Sequence, residues 1–150
     1  MRPDPLIAGS ARALGWTQYA SPTDPRLFVL PPTTLRALAG DIARRLNDRT
    51  LRVVGDPDMT VSRIALGPGY GMPALTAEID LAVGGEIGES GGNAEYALDA
   101  SAAGRPRGVI VLGHLMSEDH GMKDVADWLR AVVSEVPVAF IPAGEPFSSD

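Results

Sequence analysis

The sequence contains no cysteine, only two histidines, and fewer basic than acidic residues. The absence of cysteine excludes a disulfide framework, a thiolate metal site and a cysteine nucleophile. The 13 lysine and arginine residues against 19 aspartate and glutamate residues give a net charge of -6. This balance argues against DNA or RNA as the main ligand, because neutralising a phosphate backbone needs a surplus of basic residues. A small phosphorylated or nucleotide ligand needs only a few local donors and stays open.

Long apolar runs and a recognisable targeting segment are also missing. The longest apolar runs, such as residues 108–112, are far too short to span a bilayer. The start, MRPDPLIAGS, lacks the basic and apolar regions of a signal peptide. We therefore expect a cytoplasmic protein that does not cross a membrane. With 45% hydrophobic and 21% charged residues, the chain is long enough for one globular domain with a real core.

Residues 1–32 are rich in proline and turn-forming residues, in the stretches RPDP, SPTDP and LPP. Proline is disfavoured in helix interiors and in central strands. This composition predicts a proline-rich arm or linker over residues 1–32, which Leu14, Trp16 and Tyr19 could anchor. A single α/β domain is predicted over residues 33–150.

A helix is predicted directly after Pro31 and Pro32. Thr33 or Thr34 can cap its start. One apolar face then follows at helical spacing, formed by Leu35, Leu38, Ala39, Ile42 and Leu46. This amphipathic pattern predicts a helix that packs on the core.

Strands and helices alternate along the rest of the chain. Short apolar runs predict strands at residues 51–54, 61–66, 80–86, 108–113 and 136–141. The segments between the later runs predict helices at residues 72–79, 93–103 and 121–134. This alternation indicates an α/β fold with a mostly parallel or mixed sheet flanked by helices.

Three glycine-rich or polar segments follow three of the predicted strands. They cover residues 67–71, 84–89 and 113–120. Ligands of open α/β sheets bind outside the carboxyl ends of the strands. The three segments are therefore expected to converge on one rim and to form a ligand cleft.

The last of these segments holds both histidines. His114 follows a predicted strand, and Glu118 stands four residues later near the start of the next helix. A neutral imidazole and a carboxylate are suitable ligands for zinc, manganese or iron. The alternative is a histidine bonded to backbone and a carboxylate at a helix start. Asp119 and His120 add possible ligands, although consecutive charged residues at a helix start are usually solvated.

The other two segments offer backbone groups and one carboxylate. Gly67, Gly69 and Gly71 would let the backbone approach a bound ligand, and N–H groups there could hold an anion. The segment matches neither a Walker A loop nor a dinucleotide fingerprint, and a tight turn is the alternative. Glu86 follows a strand and is placed to carry a proton as a catalytic group, unless it is an exposed loop carboxylate.

These segments together resemble the C-terminal half of the NIF-three-like family, also known as the type 2 GTP cyclohydrolase I family. The similar stretches are LGW, LRVVGDP, RIALGPGYG, DLAVGGE, EYALDA, GVIVLGHLMSEDHGM and VPVAFIPAGEPF. In that family the corresponding histidine and glutamate bind a pair of divalent metal ions. The resemblance thus implies that His114 and Glu118 are metal ligands, and that the glycine segment and Glu86 line the same cleft.

The resemblance also implies features that this sequence does not contain. The family's N-terminal half carries a His-His pair and an aspartate that complete a dinuclear site, whereas this sequence has no His-His pair. The family forms homo-oligomers, so a homo-oligomer is expected. The implied function is a divalent-metal-binding domain of a metal-dependent hydrolase, GTP cyclohydrolase-like by family label and of unknown substrate. The alternative is a non-catalytic metal-binding domain with a regulatory or protein-interaction role.

Overall fold

Three short apolar strands form the centre of a five-stranded mixed sheet. The computed structural model describes residues 4–88 and 92–147. The strands are β1 (Leu27–Thr34), β2 (Arg52–Val54), β3 (Thr60–Gly67), β4 (Leu81–Gly84) and β5 (Gly108–Val111), in the spatial order β1-β3-β4-β5-β2. Strands β3, β4 and β5 are parallel, and β1 and β2 pair antiparallel at the two edges. The predicted α/β fold with a mixed sheet is confirmed.

Four helices flank this sheet. They are α1 (Pro5–Ala13), α2 (Leu35–Leu46), α3 (Asn93–Ala102) and α4 (His114–Val132), with a short 3-10 turn at Thr17–Tyr19. The predicted α2 is confirmed with its cap, since the Thr34 hydroxyl accepts a hydrogen bond from the Ala37 N–H at 3.2 Å. None of the helices in the described ranges combines the length and apolar character that a bilayer crossing requires.

The core lies on both faces of the sheet because the central strands are buried throughout. All four residues of β4 and of β5 are buried. Leu81 and Val83 of β4 pack with α1 and α2, whereas Ala82 between them packs on the face that α3 covers. Each fully buried leucine or isoleucine contributes about 1.5–3 kcal/mol of hydrophobic stabilisation. The sheet is thereby a rigid support for the loops at its carboxyl edge.

The proline-rich start is part of this core, and the prediction of an arm over residues 1–32 is wrong for the residues that the structure describes. Pro5 stands in the first turn of α1, where no N–H donor is needed. Pro31 and Pro32 lie in β1, an edge strand with an irregular register between Val29 and Thr33. Prolines are tolerated at both kinds of position. The predicted anchors Leu14 and Trp16 are buried core residues.

Three other element predictions also differ from the structure. Residues 72–79 contain no helix, because Asn93 holds this segment by accepting from the Leu75 N–H at 2.8 Å and donating to the Pro73 carbonyl at 2.7 Å. Residues 136–141 form no strand within the described chain and instead run beside α4, where the Arg130 guanidinium donates to the Val138 carbonyl at 2.8 Å. Helix α4 begins at His114 and not near residue 121, because Gly113, at a φ of 84°, turns the chain directly from the strand end into the helix.

Candidate functional site

The loops that follow β3, β4 and β5 meet at one edge of the sheet, as the sequence predicts. The strand register aligns Gly67 with Gly84 and Gly84 with Val111, so the three carboxyl ends are level. The Gly69 N–H donates to the Ser117 hydroxyl at 2.9 Å, and the Glu86 N–H donates to the Gly69 carbonyl at 3.1 Å. The loops and the first turn of α4 therefore form one hydrogen-bonded unit. Residue 89, the last of the predicted middle loop, lies outside the described residues.

His114 is at the centre of this unit. Its Nδ1 lies 2.8 Å from Glu86 Oε1, and its Nε2 lies 3.3 Å from Glu118 Oε1. The Tyr70 ring meets the imidazole edge to face, with ring centroids 4.7 Å apart. His114 and Glu118 are neighbours because both stand on α4, one helical turn apart. Three of the predicted site residues are thus brought together.

The two contacts of the imidazole have different chemistry. A neutral imidazole carries one N–H and one lone pair. When Nδ1–H donates to Glu86, the Nε2 lone pair faces the Glu118 carboxylate, and neither atom can donate to the other. In the other tautomer Nε2–H donates to Glu118, and the Nδ1 lone pair faces Glu86 instead. In either neutral tautomer, one carboxylate oxygen therefore faces an imidazole lone pair.

The three predicted glycines permit the close approach of backbone and side chains. A Cβ atom on Gly69, whose φ is +61°, would lie 2.1 Å from Glu118 Oε1 and 3.3 Å from His114 Nε2. A Cβ atom on Gly67 would lie 2.0 Å from the Gly71 carbonyl oxygen. The N–H groups of Gly69 and Gly71 already have partners in Ser117 and Pro68. Anion binding by Gly67, Gly69 and Gly71 stays a prediction, and the observed role of Gly69 is to make room for Glu118.

Asp119 and His120 do not join the site. Asp119 Oδ1 accepts a long hydrogen bond of 3.4 Å from the Ala143 N–H, and within residues 4–88 and 92–147 the His120 side chain has no hydrogen bond or ion pair. Over the same ranges, no group of three or more histidine, aspartate or glutamate residues is arranged to hold a metal ion. The described part of the chain therefore brings together one imidazole and one carboxylate on α4, His114 and Glu118, with Glu86 at the other ring nitrogen.

A cavity of about 330 Å³ opens beside this cluster, and several of its lining residues were not predicted as site residues. Its lining includes Arg52, Glu86, Ile87, His114, Glu145 and Phe147. Arg52 reaches it because β2 runs antiparallel to β5, which places the first residue of β2 opposite Val111 at the carboxyl end of β5. The sequence contains no signal for the direction of β2, so the position of Arg52 could not be predicted. Ser117, which joins the loops, stands three residues after His114 in the predicted loop segment of residues 113–120, and no pattern in the sequence assigned it a role.

Comparison with known proteins gives a family and a fold. A family model described as Duf34/NIF3 (NGG1p interacting factor 3) matches residues 20–146. No curated protein matches the chain.

Three solved structures have the same fold. The protein ybgI, described as of unknown function, has a TM-score of 0.65 at 21% identity, over 95% of this chain and 57% of ybgI. A Staphylococcus aureus hypothetical protein has a TM-score of 0.55 at 23% identity, over 83% of this chain and 42% of that protein. A Bacillus cereus protein related to NIF3 has a TM-score of 0.55 at 19% identity, over 83% and 35% of the two chains. The chain thus spans less than two thirds of each of these proteins, and the likeness concerns the fold.

Proposed function

Because this chain belongs to the Duf34/NIF3 family, we propose that it is a divalent-metal-binding domain of a metal-dependent hydrolase. The observation that carries the proposal is the contact of 3.3 Å between His114 Nε2 and Glu118 Oε1, with Glu86 bonded to the opposite ring nitrogen. The resemblance of the Gly-His-Leu-Met-Ser-Glu stretch to the family's metal-binding element points the same way.

The geometry of this pair fits a metal ion. Two ligand atoms at about 2.1 Å from one tetrahedral ion lie roughly 3.4 Å apart, which is close to the observed separation of 3.3 Å. Imidazole nitrogen and carboxylate oxygen suit zinc, manganese and iron. Metal-binding histidines commonly donate their second ring N–H to a carboxylate, which fixes the tautomer and the ring orientation. Glu86 stands in that position, so we assign it a positioning role in place of the predicted proton transfer.

The remaining residues of the site would serve binding and orientation. A bound divalent ion would supply Lewis acidity and an activated water to a hydrolytic reaction. His114 and Glu118 would hold the ion. Glu86 would fix the tautomer and orientation of the imidazole, and Tyr70 would limit rotation of the ring. The further ligands of a one-ion or two-ion centre would come from outside the described residues or from another subunit of a homo-oligomer. A GTP cyclohydrolase activity has no support from the residues at this site.

A non-catalytic metal-binding domain with an interaction role is the second candidate. It is favoured by apolar side chains that stand exposed on α4 and on the segment beside it. Trp128 is 54% exposed, Val132 is 60% exposed and Ile141 is 82% exposed. Trp128 and Val132 lie one turn apart on α4, and a contiguous exposed apolar patch is typical of a region that another protein covers. Metal-dependent turnover of any ester or nucleotide by the chain would decide for the first candidate.

The ligand role of Glu118 can be tested with an isosteric change. We expect Glu118→Gln to weaken Mn²⁺ binding by at least about tenfold, because an amide oxygen lacks the negative charge that balances the ion. The measurement is a Mn²⁺ titration followed by electron paramagnetic resonance of the free ion. Glu95→Gln is the matched control, since Glu95 is exposed on α3. An unchanged affinity in Glu118→Gln, or a wild-type chain that binds neither Mn²⁺ nor Zn²⁺, would contradict the proposal.

The space at Gly69 can be tested independently. We expect Gly69→Ala to weaken Mn²⁺ binding by about tenfold, because the new methyl group would displace the Glu118 carboxylate. Gly104→Ala is the control, since Gly104 has a similar φ of +72° with nothing within 4 Å of the added Cβ. Both variants should lose about 1–2 kcal/mol of unfolding free energy in urea, which is the cost of a left-handed alanine. Equal metal affinities in the two variants would show that Gly69 does not shape the site.

A further inference from the structure

The cavity beside His114 has the size of a site for a compact ligand. Its volume is about 330 Å³, at the lower end of the range of about 300–1,000 Å³ for ligand pockets. It lies on the Glu86 side of the imidazole and also contacts Leu115, the residue after His114 on α4. A molecule in this cavity would touch the same imidazole that carries the metal-type contact to Glu118.

Among the lining residues that the structure describes, Arg52 is the only lysine or arginine. Within residues 4–88 and 92–147, its side chain has no ion pair and no hydrogen bond, whereas Arg12, Arg36, Arg44, Arg45 and Arg130 each pair with an aspartate. A guanidinium presents a planar fork of donors that matches a carboxylate or a phosphate group. The charge of Arg52 is therefore available to a ligand in the cavity.

The rest of the lining is largely apolar. Ile87, Leu115, Pro146 and Phe147 contribute to it, with Phe147 73% exposed and Leu115 37% exposed. A cavity lined by both a guanidinium and a phenylalanine ring suits a ligand that has an anionic end and a flat or apolar body. The Glu86 and Glu145 carboxylates also line the cavity, and they would repel a ligand as strongly charged as a triphosphate more than one that carries a single phosphate or carboxylate group.

We propose that this cavity binds a small organic anion, which pairs its single acidic group with Arg52 and packs its apolar body against Phe147. Binding of the anion depends on Arg52 and not on the metal centre. Only its role as the substrate of the metal centre rests on the proposed function. The small volume, the single guanidinium and the two carboxylates disfavour a nucleoside triphosphate. Phosphate monoesters and carboxylates share the required chemistry.

The test is a binding measurement with simple probes. Phenyl phosphate, benzoate, inorganic phosphate and GTP are each titrated into the 15N-labelled chain, and amide shifts are followed with and without Zn²⁺, which is diamagnetic. We expect phenyl phosphate or benzoate to shift the amides around Arg52, Gly113 and Phe147, and we expect Arg52→Gln to weaken that binding at least tenfold. Arg105→Gln is the matched control, because Arg105 is exposed and precedes β5, at the amino edge of the sheet. The preferred probe decides between a phosphate and a carboxylate.

Several results would overturn the assignment. They are absence of binding by both organic probes, equal weakening in Arg52→Gln and Arg105→Gln, equal affinity for inorganic phosphate and phenyl phosphate, or a clear preference for GTP. The Mn²⁺ titration separates this proposal from the metal proposal. A chain that binds Mn²⁺ but neither organic probe retains the metal site and loses the anion site. Arg52-dependent binding of phenyl phosphate or benzoate in a chain that binds no Mn²⁺ supports the anion site and contradicts the metal centre.

Discussion

Replacing His114 by alanine is expected to reduce the affinity for Mn²⁺ or Zn²⁺ by about 100-fold or more, the largest loss that any single change at the site should cause. The substitution removes one of the two proposed ligand atoms and also the ring that Glu86 and Tyr70 contact. The Glu118 carboxylate would be left without a second donor on α4. Metal content of the purified variant by mass spectrometry, together with a Mn²⁺ titration, gives the measurement.

His120→Ala is a stringent control for this change. His120 is the second of two histidines in the sequence and stands on the same helix. Within the described parts of the chain it makes no ion pair, and the site geometry does not include it. We expect its removal to leave metal affinity within about twofold of the wild type, because the proposed site does not include it. Equal losses in the two variants would mean that the ions bind histidine non-specifically and that the site is wrongly assigned.

Replacing Gly121 by alanine is expected to lower the free energy of unfolding by about 1–3 kcal/mol, the largest stability loss of the proposed single changes. Helices α1 and α4 touch at this residue. A Cβ atom on Gly121 would lie 2.4 Å from the Leu6 Cα and 2.9 Å from the Pro5 carbonyl oxygen. These are backbone atoms, so the helices would have to separate. Urea unfolding followed by circular dichroism measures the loss.

The opposite sign is expected for a glycine that has room. Gly40 lies inside α2, and nothing is within 4 Å of an added Cβ. Gly40→Ala should raise the free energy of unfolding by about 0.5–1 kcal/mol, because alanine favours a helix interior over glycine. Both substitutions bring the same gain in helix propensity, so the difference between them isolates the α1–α4 contact. A stabilised Gly121→Ala variant would contradict the tight packing of these helices.

The parts of the fold that were predicted correctly are those that depend on residues close to one another in the sequence. The face of α2 and its Thr34 cap follow from helical spacing and a single hydroxyl. Strands β3, β4 and β5 follow from short apolar runs, and their parallel order places Gly69, Glu86 and His114 at one edge. The meeting of these three residues was therefore predictable before any coordinate was known.

The parts that were missed depend on contacts between distant segments. Residues 72–79 have a composition compatible with a helix. The Asn93 side chain instead forms two hydrogen bonds with the backbone of this segment and holds it in an irregular conformation. Residues 136–141 have the continuous apolar run of a buried strand but no strand beside them in the described chain. Arg52 joins the cavity only because β2 is antiparallel to its neighbour. Periodicity in a sequence carries no information on any of these relations.

The contact between α1 and α4 also means that residues far from the loops in the sequence help to position the site. The Ser10 hydroxyl donates to the Ser117 carbonyl across 107 positions, and Arg12 pairs with Asp124 across 112. Closing a loop of this length costs more conformational entropy than any local turn, and the packing of small residues around Gly9 and Gly121 offsets part of that cost. The orientation of His114 is therefore encoded partly in residues 5–13, remote from every loop of the site. A mutational library confined to residues 67–120 would leave that determinant unsampled.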